Sequence, residues 1–414
     1  MLHSHAGCLA LARRVTETSL ALMTAFLLIA STSQPAHAQT FSVIHNFTGN
    51  DGVSPYAGPT LDAHGRLYGT TYSGGTHGSG SVYKLTQEGS SWLLNPLYSF
   101  TGEADGAGPA FGSLAIGSNG TLFGVTEGGG IFGVLFNLVP RPNPCISVLC
   151  SWTDNVIHVF GNGQDGSQPM GGPVFDSAGN LYGTANLGGA DGNGAVYEAT
   201  HSGQSWNETI LYSFGSGTDA ANPVAGVTMD ALGNLYGTTP LGGANGDGAV
   251  YKLTHSGSGW TESVIYNFTG GNDGQNPVGG VIVDASGNLY GGTFLGGTNG
   301  GGTVYKLAPS GGGYALTTIY SFSGFGGPYN KLAFDASGTL YGATEGDGAY
   351  NAGTVFKLAP NGGSWTMTDL HDFTGGSDGG TPYGGVALDS LGDIFGTTSI
   401  GGSHNDGVVW EVTP

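Results

Sequence analysis

One short phrase, Asp-x-x-Gly-x-Leu-Tyr-Gly in its commonest form, recurs along this 414-residue chain and constrains its fold more than any other feature. Its aromatic residue falls at seven positions, 51 to 59 residues apart: Tyr68, Phe123, Tyr182, Tyr236, Tyr290, Tyr341 and Phe395. Two further phrases, Val-Tyr-Lys-Leu and a segment ending in Phe, repeat with the same period. A period of this length indicates an array in which each copy is one supersecondary unit.

Each phrase has the composition of a β-strand, because Val, Ile, Tyr and Phe dominate it and Gly, Asn, Asp and Pro bound it. Stretches such as residues 284–288 predict tight turns between strands. The glycine that follows Leu-Tyr in every copy indicates a place where neighbouring sheets crowd together. Four antiparallel strands per repeat predict a propeller blade, so the seven copies predict an all-β, seven-bladed β-propeller over residues 39–414.

The phase of the repeat predicts how the ring closes. The last unit supplies three inner strands, over about residues 382–412, and no outer strand. Residues 41–47 are one unassigned copy of the outer strand. We therefore expect this N-terminal strand to pair with residues 408–412, which closes the ring and removes free sheet edges.

The first 38 residues have the features of a secretory signal peptide. Arg13 and Arg14 form a positive region, residues 20–30 form an apolar run, and residues 36–38 (Ala-His-Ala) form a cleavage sequence. The apolar run is shorter than the roughly 20 residues of a membrane-spanning helix. An uncleaved anchor is the alternative. We expect a secreted protein, extracellular or periplasmic, with no membrane insertion after cleavage.

Charge excludes two classes of partner. Nine basic residues stand against 29 acidic ones, and the formal net charge is −20. Nucleic acids and anionic membranes are bound through clustered Lys and Arg. We therefore expect neither as a partner.

Glycine is abundant, at 82 residues, but the 38% hydrophobic content and the regular placement of aromatic residues predict a packed core rather than disorder.

The units Asp-Gly-x-x-Pro, Asp-x-x-Gly-Asn-Leu-Tyr-Gly-Thr-Thr and Gly-Gly-x-x-Gly-x-Gly-x-Val-Tyr-Lys-Leu-Thr run through residues 41–414. In these units the chain resembles the GloVer tandem-repeat proteins, a group of exported bacterial proteins. The resemblance implies export and a repeat architecture, and it implies no particular chemistry. The hairpin Val-x-Val-Asp-x-x-Gly-Asn-Leu-Tyr is also similar to NHL-type propeller repeats, and the order of Gly-Gly, Tyr and Trp is similar to that of kelch repeats.

Six of the seven loops that lead from one blade to the next carry an aspartate: Asp51, Asp105, Asp165, Asp219, Asp273 and Asp378. We expect these carboxylates near the channel mouth, where they would bind a cation or the hydroxyls of a glycan. The alternative is that each aspartate caps its own turn. A loop-bound calcium ion needs roughly six to eight oxygen ligands, more than one aspartate per loop supplies. We therefore predict no cofactor.

The other polar residues mostly follow the repeat. His45, His158 and His371 occupy a position that holds tyrosine in other units, which indicates a packing slot. His77 and His404 lie in the Gly-rich loops and are further candidate ligand contacts. A second aspartate series begins the tight turns, and we interpret it as structural: Asp62, Asp176, Asp230, Asp284, Asp335 and Asp389.

Catalysis requires a departure from repeat symmetry, and two glutamates depart from it. Glu127 and Glu345 share one loop position in the second and sixth units, three blade steps apart, so they are placed to face each other across the channel. A glycosidase pair needs carboxylates roughly 5–9.5 Å apart. We assign no residue as catalytic. If the protein is an enzyme, Glu127 and Glu345 are the candidates for its acid–base pair.

Cys145 and Cys150 lie in a proline-rich insertion at about residues 139–151. A local disulfide is predicted for an oxidising compartment. A metal site is the alternative, although two thiolates without a nearby histidine make an incomplete set.

The symmetry of the repeat favours a binding or scaffold module over an enzyme. We predict a monomer that takes a glycan, cation or protein ligand on its Asp/Gly-rich face. The alternatives are a polysaccharide lyase or hydrolase that uses Glu127 and Glu345, and a structural component of the cell surface.

Overall fold

Short antiparallel strands and tight turns make up the part of the chain that the structure describes. The computed structural model describes residues 39–413 apart from residues 110, 141–151, 162, 204 and 258. Every regular element in those residues is a strand, which confirms the all-β prediction. They contain no helix with the length and apolarity that a membrane crossing needs. The predicted signal peptide and the predicted disulfide between Cys145 and Cys150 lie outside the described residues.

The strands are numbered in chain order. An N-terminal strand, β1 (Thr40–Asn46), precedes the first blade. Blade 1 contains β2 (Thr60–Leu61), β3 (Leu67–Thr71), β4 (Ser81–Glu88) and β5 (Ser91–Ser99). Blade 2 contains β6 (Ala115–Ile116), β7 (Leu122–Thr126), β8 (Val134–Val139) and β9 (Thr153–Val159). Blade 3 contains β10 (Val174–Phe175), β11 (Leu181–Ala185), β12 (Ala195–Ser202) and β13 (Ser205–Ser213).

The remaining blades follow the same plan. Blade 4 contains β15 (Thr228–Met229), β16 (Leu235–Thr239), β18 (Ala249–Ser256) and β19 (Gly259–Asn267), with a small ribbon of β14 (Ala220–Ala221) and β17 (Leu241–Gly242). Blade 5 contains β20 (Val281–Val283), β21 (Leu289–Thr293), β22 (Thr303–Ser310) and β23 (Gly313–Ser321). Blade 6 contains β24 (Ala333–Phe334), β25 (Leu340–Thr344), β26 (Thr354–Asn361) and β27 (Ser364–Asp372). Blade 7 contains β28 (Ala387–Leu388), β29 (Ile394–Thr398) and β30 (Val408–Thr413). The seven four-stranded sheets confirm the predicted seven-bladed propeller.

The N-terminal strand closes the ring. The sheet of blade 7 has the order β1-β30-β29-β28, so β1 is its outer strand. The backbone N–H of Phe47 donates a 3.1 Å hydrogen bond to the carbonyl of Gly407. The ring of Phe41 lies 6.3 Å from that of Trp410, measured between centroids. The prediction that residues 41–47 pair with residues 408–412 is therefore confirmed.

In six of the seven blades the turn between the first two strands is held by the aspartate that begins it. Oδ1 of Asp284 accepts hydrogen bonds from the backbone N–H groups of Ser286 and Asn288, both at 2.9 Å. Burial alone would raise the pKa of Asp284, but these bonds and the one from the Asn288 side chain lower it. Gly287 has a φ of +77°, which L-residues rarely adopt. The same pattern in the other turns confirms the structural interpretation of this aspartate series.

The glycine after Leu-Tyr is required by an aromatic ring of its own sheet. Gly237 on β16 faces Tyr251 on β18. A Cβ at Gly237 would lie 2.2 Å from the Tyr251 hydroxyl oxygen. The expectation that neighbouring sheets cause this crowding is wrong, because the covering ring belongs to the paired strand.

Aromatic residues that follow the outer strands pack neighbouring blades together. Phe268 follows β19 of blade 4 and is fully buried. Its ring meets that of Tyr305 in blade 5 with centroids 5.2 Å apart. Phe47 and Tyr83 make the equivalent contact, also at 5.2 Å, between the closing strand and blade 1. The hydrophobic core thus consists of separate interfaces between neighbouring blades, which we call seams. At each seam the Phe that follows one outer strand packs against an aromatic ring of the next blade.

Candidate functional site

The aspartates of the inter-blade loops are bound to their own loops. Asp273 accepts hydrogen bonds from the N–H of Thr269 at 3.0 Å, from the Thr269 hydroxyl at 2.5 Å and from the Tyr266 hydroxyl at 3.0 Å. Because Tyr266 ends the outer strand, this carboxylate lies at the outer strand and not at the channel mouth, where we expected it. Loop or ring donors hold the other five carboxylates in the same way: Asp51, Asp105, Asp165, Asp219 and Asp378. Ligand binding by these aspartates stays a prediction.

The ring that faces each of these aspartates is tyrosine or histidine, because both can supply a hydrogen-bond donor at that place. The Tyr212 hydroxyl donates to Asp219 at 2.8 Å. Nε2 of His371 lies 3.1 Å from Oδ2 of Asp378. Burial would raise the pKa of Asp378, but hydrogen bonds from Thr374 and His371 outweigh it and lower that pKa. This repeat position therefore requires an aromatic ring that can also form a hydrogen bond with the aspartate.

His77 and His404 lie on exposed stretches of the Gly-rich loops. Nδ1 of His404 is 2.8 Å from the hydroxyl oxygen of Ser403. Their role as ligand contacts stays a prediction. Throughout the described part of the chain, no three His, Cys, Asp or Glu side chains are grouped so that they could hold a metal ion.

Glu127 and Glu345 each follow the second strand of their blade and are held beside an inner strand. The N–H of Glu127 donates to the carbonyl of Gly108 at 3.1 Å, and that of Glu345 donates to Gly327 at 3.4 Å. Gly108 and Gly327 directly precede the prolines that lead into the inner strands. The backbone therefore places both glutamates at the mouth of the central channel.

Four aromatic rings meet in the channel beside these glutamates. In five pairs their centroids are 5.0 to 6.2 Å apart, and Phe111 of blade 2 contacts Tyr329 of blade 6, so the rings meet across the channel. We call this set the central aromatic cluster: Tyr56, Phe111, Tyr329 and Tyr383. Our sequence analysis missed it. The signal is present in the sequence, because Tyr56, Tyr329 and Tyr383 directly follow the proline that leads into the inner strand, and Phe111 lies one residue further on. Blades 3, 4 and 5 carry non-aromatic side chains directly after that proline: Met170, Val224 and Val278.

Both glutamates are coupled to tyrosines of this region. The Tyr383 hydroxyl donates a 2.7 Å hydrogen bond to Oε1 of Glu345. Burial raises the pKa of Tyr329, and the charges of Glu345 and Glu127 raise it further, so Tyr329 is within electrostatic range of both. Burial also raises the pKa of Glu127. The charge of Glu127 is in turn the main cause of the raised pKa of Tyr72.

Three more aromatic rings extend the cluster towards solvent. Tyr72 contacts Tyr56 with centroids 5.3 Å apart and is 37% exposed. Phe294 contacts Tyr329 at 5.5 Å, and Phe325 contacts Phe294 at 5.9 Å. Phe325 is 68% exposed. We call the resulting surface the mouth site: Tyr72, Glu127, Phe294, Phe325 and Glu345. It combines apolar ring faces with two carboxylates.

The repeat units match one protein family along most of the chain. The Gloeobacter/Verrucomicrobia repeat matches residues 32–156, 146–264 and 258–414. No curated protein is similar enough in sequence to match.

Solved structures match the chain at low sequence identity. A protein from Bacteroides uniformis assigned as a 6-phosphogluconolactonase is 14% identical, with a TM-score of 0.50 over 77% of this chain and 84% of that one. A protein from Thermus thermophilus assigned as an oxidoreductase (glucose dehydrogenase) is 16% identical, with a TM-score of 0.44 over 91% of this chain and 100% of that one. A protein assigned as a gluconolactonase is 11% identical, with a TM-score of 0.41 over 92% and 93%. At this identity the similarity concerns the fold alone.

Proposed function

The chain belongs to the Gloeobacter/Verrucomicrobia repeat family, and from that premise we propose that it is an exported binding module whose mouth site takes the sugar rings of a glycan. Membership of this family explains the repeat architecture but indicates no ligand or reaction, so the proposal depends on the residues of the mouth site. Loops at one end of a rigid scaffold are where binding residues concentrate.

The observation that carries this proposal is the pairing of exposed ring faces with carboxylates at one place. A sugar ring presents C–H faces that pack on aromatic rings and hydroxyls that donate to carboxylates. Phe325 and Tyr72 offer the exposed rings, and Glu345 and Glu127 offer the acceptors. Three other blades carry Asn186, Pro240 and Ser399 at the glutamate position. The combination therefore occupies only part of the ring, as a binding site for a single ligand would.

Titration of the purified protein with a panel of neutral oligosaccharides tests this proposal. We expect Phe325→Ala to weaken the best ligand at least tenfold, because loss of an aromatic anchor typically costs about 2 kcal/mol or more. Tyr350→Ala is the matched control, since Tyr350 is 61% exposed and lies outside the mouth site. Equal effects of the two substitutions, or an unchanged affinity in Phe325→Ala, would contradict the proposal.

A second candidate function is cleavage of the glycan at the same site. The observation that favours it is the burial that raises the pKa of Glu127, because a carboxyl that acts as a general acid needs a pKa above its ordinary value. Product formation that is lost in Glu127→Gln while binding is retained would support a hydrolase or lyase. Binding without product across the panel would support the binding module.

We also propose that the protein acts outside the cytoplasm as a monomer. The features of the first 38 residues support export. Ring closure supports the monomer, because β1 already fills the outer-strand position of blade 7 that a strand of a second copy would otherwise take. Cell fractionation and size-exclusion chromatography with light scattering test the two statements separately.

A further inference from the structure

A cavity of about 420 Å³ lies in the central channel, on the far side of the central aromatic cluster from the mouth site. Phe111 and Tyr329 bound it at the cluster end. Its wall is more apolar than polar and comes from the inner strands and the residues before them, where glycines alternate with aliphatic side chains such as Leu114, Ile116, Val174, Val224, Val278 and Val386. We call this space the channel cavity.

Lys331 is the only charged side chain in the described lining of the channel cavity. It stands at a repeat position that holds glycine or serine in the other six blades: Gly58, Ser113, Gly172, Gly226, Gly280 and Gly385. The side chain leaves blade 6 and passes Gly280 of blade 5, where an added Cβ would lie 2.9 Å from Cε of Lys331. Its Nζ then donates a 2.9 Å hydrogen bond to the carbonyl of Val227 in blade 4.

This ammonium lacks a counter-charge. No ion pair of Lys331 occurs among the described residues, and no described carboxylate lines the cavity. The carbonyl of Val227 satisfies one of its three N–H donors. Lys331 is half-buried, and an ammonium withdrawn from bulk water without an anion is costly. Desolvation lowers its pKa to about 8, so it is still mostly protonated at pH 7.

We propose that the channel cavity binds a small aliphatic carboxylate whose carboxylate group pairs with Nζ of Lys331. The anion supplies the missing counter-charge and accepts the remaining N–H donors. The aliphatic side chains of the wall take the alkyl chain, and the volume is within the range of small-molecule pockets. This site is separate from the mouth site and takes a different class of ligand, so it goes beyond the proposed glycan binding.

The competing explanation is a structural brace. Lys331 joins blade 6 to blade 4 and skips blade 5, and its contact with Val227 spans 104 residues of sequence. A brace requires the hydrogen bond to the carbonyl and requires no ligand. The two explanations therefore differ in whether added carboxylate changes the state of the ammonium.

Calorimetric titration with hexanoate at pH 7 tests the proposal, with hexanamide as the uncharged control of the same length. We expect hexanoate to bind at least tenfold more tightly than hexanamide. Lys331→Met keeps an unbranched side chain as far as Cε and removes the charge, so it should abolish that preference. Equal binding of the two compounds, or a preference for hexanoate that persists in Lys331→Met, would overturn the proposal.

A second measurement covers the case in which Lys331→Met fails to fold. The chain has few lysines, so NMR of ¹³C-methylated lysine in the otherwise unchanged protein can follow Lys331 directly. Hexanoate should raise the pKa of Lys331, and hexanamide should leave it unchanged. A pKa that does not respond to hexanoate would leave the brace as the explanation. Phe325→Ala should bind hexanoate normally, so failure of the glycan proposal and failure of this one are distinguishable.

Discussion

The hydroxyl of Tyr251 lies over Gly237 and has no hydrogen-bond partner among the described residues. Blades 1, 3 and 5 repeat this arrangement with Tyr83, Tyr197 and Tyr305. Blades 2 and 6 carry Phe136 and Phe356 at the same place. The ring is therefore what the fold requires, and the hydroxyl is a buried polar group that costs about 1–3 kcal/mol when unpaired.

Tyr251→Phe is expected to keep the fold and to raise the free energy of unfolding by up to about 1 kcal/mol, because it removes the unpaired hydroxyl and keeps the ring. Urea unfolding followed by tryptophan fluorescence measures the change. Gly237→Ala is the opposite test and should lose about 2–3 kcal/mol, since its Cβ would displace the Tyr251 ring. A loss above about 1 kcal/mol in Tyr251→Phe would mean that the hydroxyl has a partner that stabilises the fold.

The repeat explains why the fold could be predicted and why part of the site could not. Strands, turns and ring closure depend on residues that recur seven times, so each prediction had seven tests within one sequence. Lys331 depends on a contact with Val227, 104 residues away, which becomes visible only when blade 6 is placed two blades from blade 4. The departure from glycine at that position was present in the sequence, but a search for catalytic outliers among acidic residues passes over it.

The aspartates of the inter-blade loops show how far a side chain can be located from strand topology alone. The sequence places Asp105 in a loop that crosses from the rim of one blade to the centre of the next. It does not say where along that loop the carboxylate rests. The hydrogen bond from Tyr98, at 2.9 Å, fixes it at the outer end. Glu127 and Glu345 were found because they break the symmetry of the repeat, and the aromatic rings around them were missed because an aromatic side chain beside a core is read as packing.

A pH dependence follows from half-buried carboxyls at one repeat position of three neighbouring blades, Asp154, Glu208 and Glu262, each with its pKa raised to about 7. Burial raises the pKa of Glu262 to about 7, and the charge of Asp219 adds to the rise. Glu208 has the same arrangement with Asp165, and its pKa is also raised to about 7. The folded state thus favours the protonated carboxyl. The resulting stability is full below the unfolded pKa of 4.5 and is lost as the pH rises through about 7.

We therefore expect the free energy of unfolding to fall between pH 5 and pH 8. Glu208→Leu combined with Glu262→Leu should reduce this slope, leaving the part that Asp154 contributes, and should raise stability at pH 8 by about 1–2 kcal/mol, a figure reduced for the partial exposure of both groups. Other blades already carry apolar residues at this position, such as Leu94, Leu316 and Met367. Denaturant titrations at the two pH values measure the slope. A slope that the double substitution leaves unchanged would be assigned to other groups.

The inter-blade aspartates predict a second, opposite pH dependence. Burial would raise the pKa of Asp105, but hydrogen bonds from Thr101 and Tyr98 outweigh it and lower that pKa. Its stabilisation is present above the unfolded pKa of 3.8 and is lost as the pH falls through the lower folded value. Asp105→Asn should cost about 1 kcal/mol at pH 7 and less near pH 3, as measured by thermal unfolding.

Asn substitution of Asp51, Asp105 and Asp378 together separates this structural role from the predicted ligand contacts. Turn caps predict a less stable protein with unchanged glycan affinity, and ligand contacts predict loss of binding. The sixth inter-blade loop is a natural comparison, because it lacks the aspartate. There the N–H of Gly324 donates to Oδ1 of Asp347 in a Gly-rich loop, at 2.8 Å. A carboxylate from another loop thus replaces the missing cap, which favours the structural role.

Ring closure by β1 predicts an unequal effect of two equivalent substitutions. Phe47 and Phe268 occupy the same position of the repeat and are both fully buried. Phe47→Ala and Phe268→Ala should each cost about 3–5 kcal/mol through the lost packing. Phe268 ends an outer strand that a hairpin joins to the rest of its blade. The strand that Phe47 anchors is joined to blade 7 by hydrogen bonds and packing alone.

Phe47→Ala should therefore release β1 locally before the whole ring unfolds, and the amides of β30 should then exchange with solvent faster than those of β18, the equivalent strand of blade 4. Phe268→Ala should raise exchange without singling out the closing strand. Hydrogen–deuterium exchange read by mass spectrometry distinguishes the two patterns. Matching exchange at β30 in both variants would mean that β1 contributes no more to closure than an outer strand contributes to its own blade.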